Sequence, residues 1–141
     1  MQNEILDFLI RHWILASGFG AALVFAFVVE LNNIMSKAEV IGNAELIIHM
    51  NRGDGIVVDI RSAAAYNKGH ILGSKNISVD SLLSDKNLQK KYAAKKLILV
   101  CDRGVAAKNA RKILQKVGYN QVVSLQNGLS GWHNGGMPLS I

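Results

Sequence analysis

The chain has 141 residues and a formal net charge of +6 at pH 7, a length that allows one domain and an appendage. Its single cysteine excludes an intrachain disulfide and makes a zinc site of cysteines implausible. We expect neither a metal nor a cofactor. All but one of the 16 Lys and Arg residues follow residue 33, which favours anionic partners such as a small anionic substrate or acidic lipids. The lysine-rich run at residues 86–96 lacks the repeated aromatic residues that stack on bases, so we expect no nucleic acid partner.

The most apolar stretch is residues 13–29, which hold no charged residue and only Ser17 as a polar side chain. As a helix they span roughly 26 Å, near the lower limit for crossing a bilayer core. A cleaved signal peptide fits less well, because Glu4 and Asp7 precede the run and no small-x-small site follows it. A buried soluble helix is the other alternative. We predict that residues 1–36 form an N-terminal tail and one transmembrane helix in a lipid bilayer.

Small residues recur along this helix at four-residue spacing, at Gly18, Ala22 and Ala26. Such a stripe can pack against another membrane helix, so a membrane-protein partner at this face is one expectation. The flanking charges Arg11 and Lys37 nearly balance and do not decide the orientation of the helix. The single free thiol and the basic charge of the C-terminal domain favour the cytoplasmic side for that domain.

Beyond the helix, apolar runs typical of buried strands alternate with segments of helical periodicity. The predicted strands cover residues 37–41, 56–60, 71–77, 97–100 and 122–125. The predicted helices cover residues 43–50, 62–68, 81–94, 106–117 and 129–132, with Asn43 and Ser62 as N-caps of the first two. This alternation predicts an α/β domain over residues 37–141, in which helices cover both faces of a parallel sheet. Ligands of such sheets bind beyond the carboxyl ends of the strands.

The only cysteine, Cys101, follows the apolar strand at residues 97–100 and precedes a short loop and a helix. Backbone N–H groups of the loop and the first helical turn can converge on one point, where the helix dipole adds partial positive charge. Both effects favour a thiolate, which makes Cys101 a candidate nucleophile. A small, inert, buried side chain is the commonest fate of a single cysteine, and the spacing alone does not separate these two interpretations.

Three short motifs lie in order along the predicted α/β domain. The first is Asp59-Ile60-Arg61 followed by Tyr66, Gly69-His70-Ile71, Gly73-Ser74 and Asn76-Ile77; the second is Cys101-x-x-Gly104-x-Ala106; the third is Gly128-Leu129-Ser130-Gly131-Trp132 with Pro138. In this order and spacing they make residues 37–141 resemble a rhodanese domain, the fold of a sulfurtransferase superfamily. With the apolar helix in front, the whole chain resembles the single-pass, membrane-anchored rhodanese-like proteins of bacteria, which implies the inner, cytoplasmic membrane.

The resemblance implies an enzyme in which the Cys101 thiolate takes a sulfur atom from a thiosulfate-like donor and holds it as a persulfide. A thiol acceptor then removes that sulfur, so the expected partners are a small anionic sulfur donor and a thiol. The loop whose N–H groups would stabilise the persulfide anion consists of Asp102, Arg103, Gly104, Val105 and Ala106.

Two positions of this loop depart from the family pattern. Ala106 stands where a basic or hydroxyl residue is frequent, and Asp102 adds a negative charge that opposes a thiolate and repels anionic donors. Arg103 is the only cation inside the loop, and we expect it to compensate this charge and to steer the donor. Asp59 and Arg61 are expected to support the site by bracing neighbouring loops.

Two functions from different classes remain open at this stage. One is a membrane-anchored sulfurtransferase or persulfide carrier. The other is a membrane-tethered interaction module, in which the same fold docks partners with little or no catalysis. Phosphatase and arsenate-reductase chemistry is disfavoured, because Ala107 stands where the Cys-x₅-Arg pattern requires an arginine.

Overall fold

A computed structural model of the chain describes residue 7 and residues 11–37 and 39–141, with the side chains of residues 32–37 outside the description. The chain divides into two compact units, Met1–Ala38 and Glu39–Ile141. Most of the predicted N-terminal tail, and residue 38 of the first predicted strand, lie outside the described residues.

The N-terminal unit contains the 25-residue helix α1, Trp13–Lys37. Its segment Trp13–Leu31 has a mean hydropathy of 2.2, and none of it is buried. Within the described part of the chain, this is the one helix that is long and apolar enough to cross a membrane, and a signal sequence near the N-terminus has the same properties. The predicted small-residue stripe of Gly18, Ala22 and Ala26 is exposed along it.

The second unit is an α/β fold with a five-stranded parallel sheet, as predicted. Its strands are β1 (Val40–Ile41), β2 (Gly55–Asp59), β3 (Lys75–Asn76), β4 (Lys96–Val100) and β5 (Gln121–Leu125). Its helices are α2 (Asn43–Arg52), α3 (Ala63–Asn67), α4 (Val79–Ser84), α5 (Lys86–Tyr92), α6 (Val105–Lys116) and α7 (Gly128–Asn134). The strand order is β1-β5-β4-β2-β3, and each pair of neighbours is parallel.

The side chains of the central strand β4 are apolar on both faces of the sheet, so both faces must be covered. Leu97 and Leu99 belong to one apolar cluster, to which α6 contributes, whereas Ile98 and Val100 belong to a second cluster formed with α2 and α7. Each of the four residues is at most 1% exposed. Because successive side chains of a strand point to opposite faces, an uninterrupted apolar strand needs a core on each side.

The predicted strand at residues 71–77 is wrong over most of its length, because β3 contains only Lys75–Asn76. Ile71 is buried as an apolar strand residue would be. A turn follows it, in which the Ser74 N–H donates to the Ile71 carbonyl and Gly73 has a φ of +77°. Leu72, the next apolar residue, is 70% exposed, so the apolar pattern predicted burial correctly only at Ile71 and the backbone conformation incorrectly.

Two further boundaries differ from the predicted elements. The helix predicted at residues 81–94 is divided into α4 and α5 at Asp85, whose carboxylate accepts the Asn87 N–H at 2.8 Å and so caps a new helix. The strand predicted at residues 37–41 is only the two-residue β1, because α1 continues to Lys37.

One of the two predicted N-caps is confirmed and the other is wrong. The Ser62 side chain accepts the Ala65 N–H at 3.3 Å and caps α3. At α2 the capping position is held by Gly42, whereas the Asn43 side chain donates to the Gly131 carbonyl at 3.0 Å. Asn43 therefore ties α2 to α7 across the fold.

Candidate active site

The pairing of β2 with β4 brings two of the sequence motifs to the same end of the sheet. Asp59, the last residue of β2, is the register partner of Val100, the last residue of β4. The pairing extends one residue further, because the Ile60 N–H donates to the Val100 carbonyl at 3.0 Å. Cys101 therefore begins its loop beside the loop after β2, beyond the carboxyl ends of the strands.

The Cys101 sulfur lies inside the loop between β4 and α6, and the residue is only 5% exposed. Its Sγ accepts the N–H of Gly104 at 3.1 Å and the N–H of Ala107 at 3.4 Å. Gly104 has a φ of +86°, the left-handed conformation that glycine adopts without strain, and α6 begins directly after it. Two converging N–H donors and the start of a helix stabilise negative charge on this sulfur.

The structure assigns different roles to the five predicted loop residues. Gly104 donates its N–H to the sulfur, whereas the second donor, Ala107, lies one residue beyond the predicted loop. The other four, Asp102, Arg103, Val105 and Ala106, line the pocket that opens onto Cys101. One of the five predicted loop residues therefore binds the sulfur, and the other four line the pocket.

The third motif packs against the backbone of the cysteine loop, and Gly128 allows this close approach. The Leu129 N–H donates to the Cys101 carbonyl at 2.8 Å, and the Ser130 N–H donates to the Asp102 carbonyl at 2.9 Å. Gly128 has a φ of +55°, and a Cβ atom at this position would lie 2.1 Å from the Cys101 carbonyl oxygen. Only glycine allows the two backbones to approach this closely.

Asp59 and Arg61 form a buried ion pair that connects three loops. The Arg61 Nη2 lies 2.7 Å from Asp59 Oδ2, and the same nitrogen donates to the Gly69 carbonyl at 2.8 Å. The Arg61 Nη1 reaches Asp102 Oδ1 in the cysteine loop at 3.2 Å. Hydrogen bonding to Asp59 raises the pKa of Arg61 above its ordinary value, so its positive charge is fixed. These contacts place both residues in the bracing role that the sequence predicts.

The charge of Asp102 is therefore compensated by Arg61, and the prediction that Arg103 compensates it is wrong. Within residues 39–141 the exposed Arg103 side chain makes no hydrogen bond or ion pair. Arg103 lines the pocket, and that it steers the donor stays a prediction.

An open pocket of about 820 Å³ lies in front of the sulfur. Besides the four loop residues, its lining consists of Ile60, Arg61, Ser62, Ala65, Cys101 and Ser130. Sequence reasoning identified Ser62 only as a helix cap and Ser130 only as part of a motif. Among the described residues, no group of three His, Cys, Asp or Glu side chains is placed to hold a metal ion.

A family model described as a rhodanese-like domain matches residues 43–135. The chain belongs to the rhodanese-like family. The resemblance of the three motifs is thereby confirmed. This rhodanese-like chain is 34% identical over 140 residues to the Escherichia coli K-12 protein YibN, described as uncharacterized, with 98% of this chain and 97% of that one covered.

Further similar proteins match part of the chain, and two of them have a named activity. The thiosulfate sulfurtransferase GlpE of Shewanella oneidensis is 34% identical over 77 residues, covering 55% of this chain and 74% of GlpE. The human single-domain sulfurtransferase TSTD1 superposes with a TM-score of 0.58 at 23% identity, over 68% of this chain and 96% of TSTD1. A rhodanese-related protein of Thermoplasma volcanium gives a TM-score of 0.63 at 24% identity, over 72% of this chain and 97% of that one. At such identities the solved structures establish the fold alone.

Proposed function

We propose that the chain is a membrane-anchored sulfurtransferase of the rhodanese type that carries a sulfane sulfur as a persulfide on Cys101. The observation that carries the proposal is the Cys101 sulfur at an open pocket, with the N–H groups of Gly104 and Ala107 directed at it. The likeness to GlpE, named a thiosulfate sulfurtransferase, supports the same chemistry here.

The proposed reaction consists of two displacements at sulfur. In the first, the Cys101 thiolate attacks the outer sulfur of a thiosulfate-like donor, the donor S–S bond breaks, and sulfite leaves with the electron pair. In the second, an acceptor thiolate attacks the outer sulfur of the persulfide and forms a new S–S bond. The bond to Cys101 then breaks, which regenerates its thiolate. The two steps balance without an external oxidant or reductant.

The residues around the sulfur divide this work between them. The Gly104 and Ala107 N–H groups stabilise the anionic sulfur, both as nucleophile and as leaving group. Arg61 acts through position, because it ties the cysteine loop at Asp102 to the loops after β2. Arg103 is the exposed cation that would attract an anionic donor.

Mass spectrometry of the intact protein tests the persulfide directly. The purified full-length chain is treated with thiosulfate or an alkyl persulfide, desalted and weighed, and we expect a gain of one sulfur atom. The Cys101→Ser variant is the matched control, since it changes the nucleophile and little volume. It should fold normally, gain no sulfur, and lose turnover by roughly a thousandfold or more, as for other catalytic nucleophiles.

The alternative function, an interaction module without catalysis, makes the opposite prediction. A folded wild-type protein that gains no sulfur from either donor would favour that module. Turnover near the wild-type level in Cys101→Ser would show that Cys101 is not the nucleophile.

We also propose that α1 is a single-pass anchor in a bacterial inner membrane and that Cys101 faces the cytoplasm. The apolar length of Trp13–Leu31 supports the anchor, and a thiol that must remain reduced between turnovers supports the side. Alkaline carbonate washing should leave the full-length chain in the membrane fraction. A membrane-impermeant maleimide should label Cys101 only after cell lysis, and labelling in intact cells with a permeable outer envelope would place it on the other side.

A further inference from the structure

The pocket in front of Cys101 is larger than a small inorganic donor requires. Its volume is about 820 Å³, whereas the five heavy atoms of thiosulfate fill on the order of 150 Å³ at roughly 30 Å³ per water-sized atom. Apolar residues provide part of the lining, namely Ile60, Ala65, Val105 and Ala106. The pocket therefore has room for the carbon skeleton of an organic thiol beside the transferred sulfur.

Asp102 is the only carboxylate among the described side chains that line the pocket. Its side chain is 71% exposed and lines the pocket, with Oδ1 held 3.2 Å from the Arg61 Nη1. Arg61 is also paired with Asp59, which is 1% exposed, so one guanidinium is shared between two carboxylates. The remaining cation of the pocket wall is the exposed Arg103. The cluster of Asp59, Arg61 and Asp102 has a net charge of −1, which Arg103 offsets, so Asp102 is the exposed carboxylate of the pocket lining and Arg103 its exposed cation.

We propose that Asp102 selects the sulfur acceptor by charge and favours a thiol with a nearby ammonium group over a thiol with a carboxylate. The proposal rests on the proposed function, because it concerns the step that discharges the Cys101 persulfide. The acceptor class is that of aminothiols, in which the amino group lies two carbons from the sulfur. Its ammonium approaches the Asp102 carboxylate while its thiolate attacks the outer sulfur, whereas a carboxylate in that position meets like charge.

Three thiols of similar size and different charge test this selection. Cysteamine is cationic, 2-mercaptoethanol is neutral and 3-mercaptopropionate is anionic. The full-length protein in a non-ionic detergent is loaded with sulfur and desalted, and the single-turnover loss of the persulfide is followed by mass spectrometry for each thiol. Each rate is divided by the 2-mercaptoethanol rate of the same protein, so that general effects of a substitution on the site cancel.

In Asp102→Asn we expect the ratio of the cysteamine rate to the 3-mercaptopropionate rate to fall roughly tenfold, the effect of one charge a few ångströms away near water. The intrinsic reactivities of the thiols are the same for both proteins and cancel in this comparison. Asp80→Asn, which removes an exposed carboxylate in α4 away from the pocket, is the matched control and should leave the ratio unchanged.

A second measurement uses the wild-type protein alone, so it does not depend on how the variant folds. Raising the salt concentration should reduce the preference for cysteamine over 3-mercaptopropionate, because exposed charges are screened. A ratio that changes neither in Asp102→Asn nor with salt would overturn the selection by Asp102 and leave the proposed function standing. Failure of every thiol to discharge the persulfide would instead remove the proposed function, and this inference with it.

Discussion

The two ends of the strand pair β2–β4 carry polar clusters whose carboxylates differ in burial. At the carboxyl end, Arg61 pairs with Asp59, and these side chains are 11% and 1% exposed. At the amino end, His49 lies 2.6 Å from both Asp54 and Lys96, and the Asp54 side chain is 49% exposed. The difference lies in the carboxylates, because Asp59 is removed from water and Asp54 is not. Arg61 and His49 are covered to a similar degree, at 11% and 13% exposed.

Burial determines what each cluster does for the protein. A buried charge must keep its partner, since losing the partner leaves an ion that water no longer solvates. An exposed pair loses little when it opens, because water replaces the partner. The ion pair that is costly to break thus lies at the carboxyl end, where Arg61 contacts the loop that begins at Cys101. The ion pair that is easily replaced by water lies at the amino end, away from the thiol.

The largest difference is expected on removing the cation from each cluster. Arg61→Gln should lower the free energy of unfolding by about 3–5 kcal/mol, because Asp59 stays buried without its partner. Lys96→Gln, the matched change at the amino end, should lower it by less than about 1 kcal/mol, since the carboxylate of that cluster, Asp54, is 49% exposed and stays solvated. Urea unfolding of both variants in the same detergent measures the difference. Equal losses would show that burial does not separate the two clusters.

The sequence was sufficient where local pattern determines structure. The apolar run of β4 predicts a strand buried on both faces, and residues Asp59 and Arg61 at a strand end predict a brace, which their contacts show. It was insufficient at residues 71–77, where the buried Ile71 begins a turn and not a strand. At Asp85 a capping carboxylate divides a segment whose helical periodicity was weak.

The features of the site that the sequence does not predict are contacts between segments that are distant in the chain. Nothing near Cys101 in sequence reveals that Gly128 packs on its carbonyl oxygen, because that approach depends on how α7 returns to the sheet. Adjacency in the sequence predicts Arg103 as the partner of Asp102, whereas folding brings Arg61 to it from 41 residues away. A motif can identify such residues as a group, but their distances require the fold.

Two glycines with positive φ extend the comparison to the backbone. Gly53 ends α2 near the amino end of β2, with a φ of +68° and open space where a Cβ atom would lie, so Gly53→Ala should cost about 1–2 kcal/mol of conformational strain alone. Gly128→Ala adds a contact of 2.1 Å with the Cys101 carbonyl oxygen, which must move the cysteine loop. We expect a further loss of about 1–3 kcal/mol from this overpacking.

The two alanine variants should differ more clearly in sulfur transfer than in stability. A displacement of the loop by about 1 Å is expected to reduce turnover roughly a hundredfold in Gly128→Ala. Gly53→Ala should retain turnover close to that of the wild type, because the strain lies at the other end of the sheet. Persulfide formation followed over time compares them, and equal turnover in both variants would contradict a positioning role for the Gly128 backbone.

The smallest effect is expected at Asp54, in the exposed cluster. A hydrogen bond with His49 lowers the pKa of Asp54 below its ordinary value of 3.8. A carboxyl group whose pKa is lower in the folded state stabilises the fold above its unfolded pKa, and this contribution is lost as the pH falls through the folded value. Asp54→Asn should therefore lower the melting temperature slightly at neutral pH and not at a pH well below 3.8. Melting curves at both pH values test this, and a difference that persists in acid would mean that the carboxylate charge is not its source.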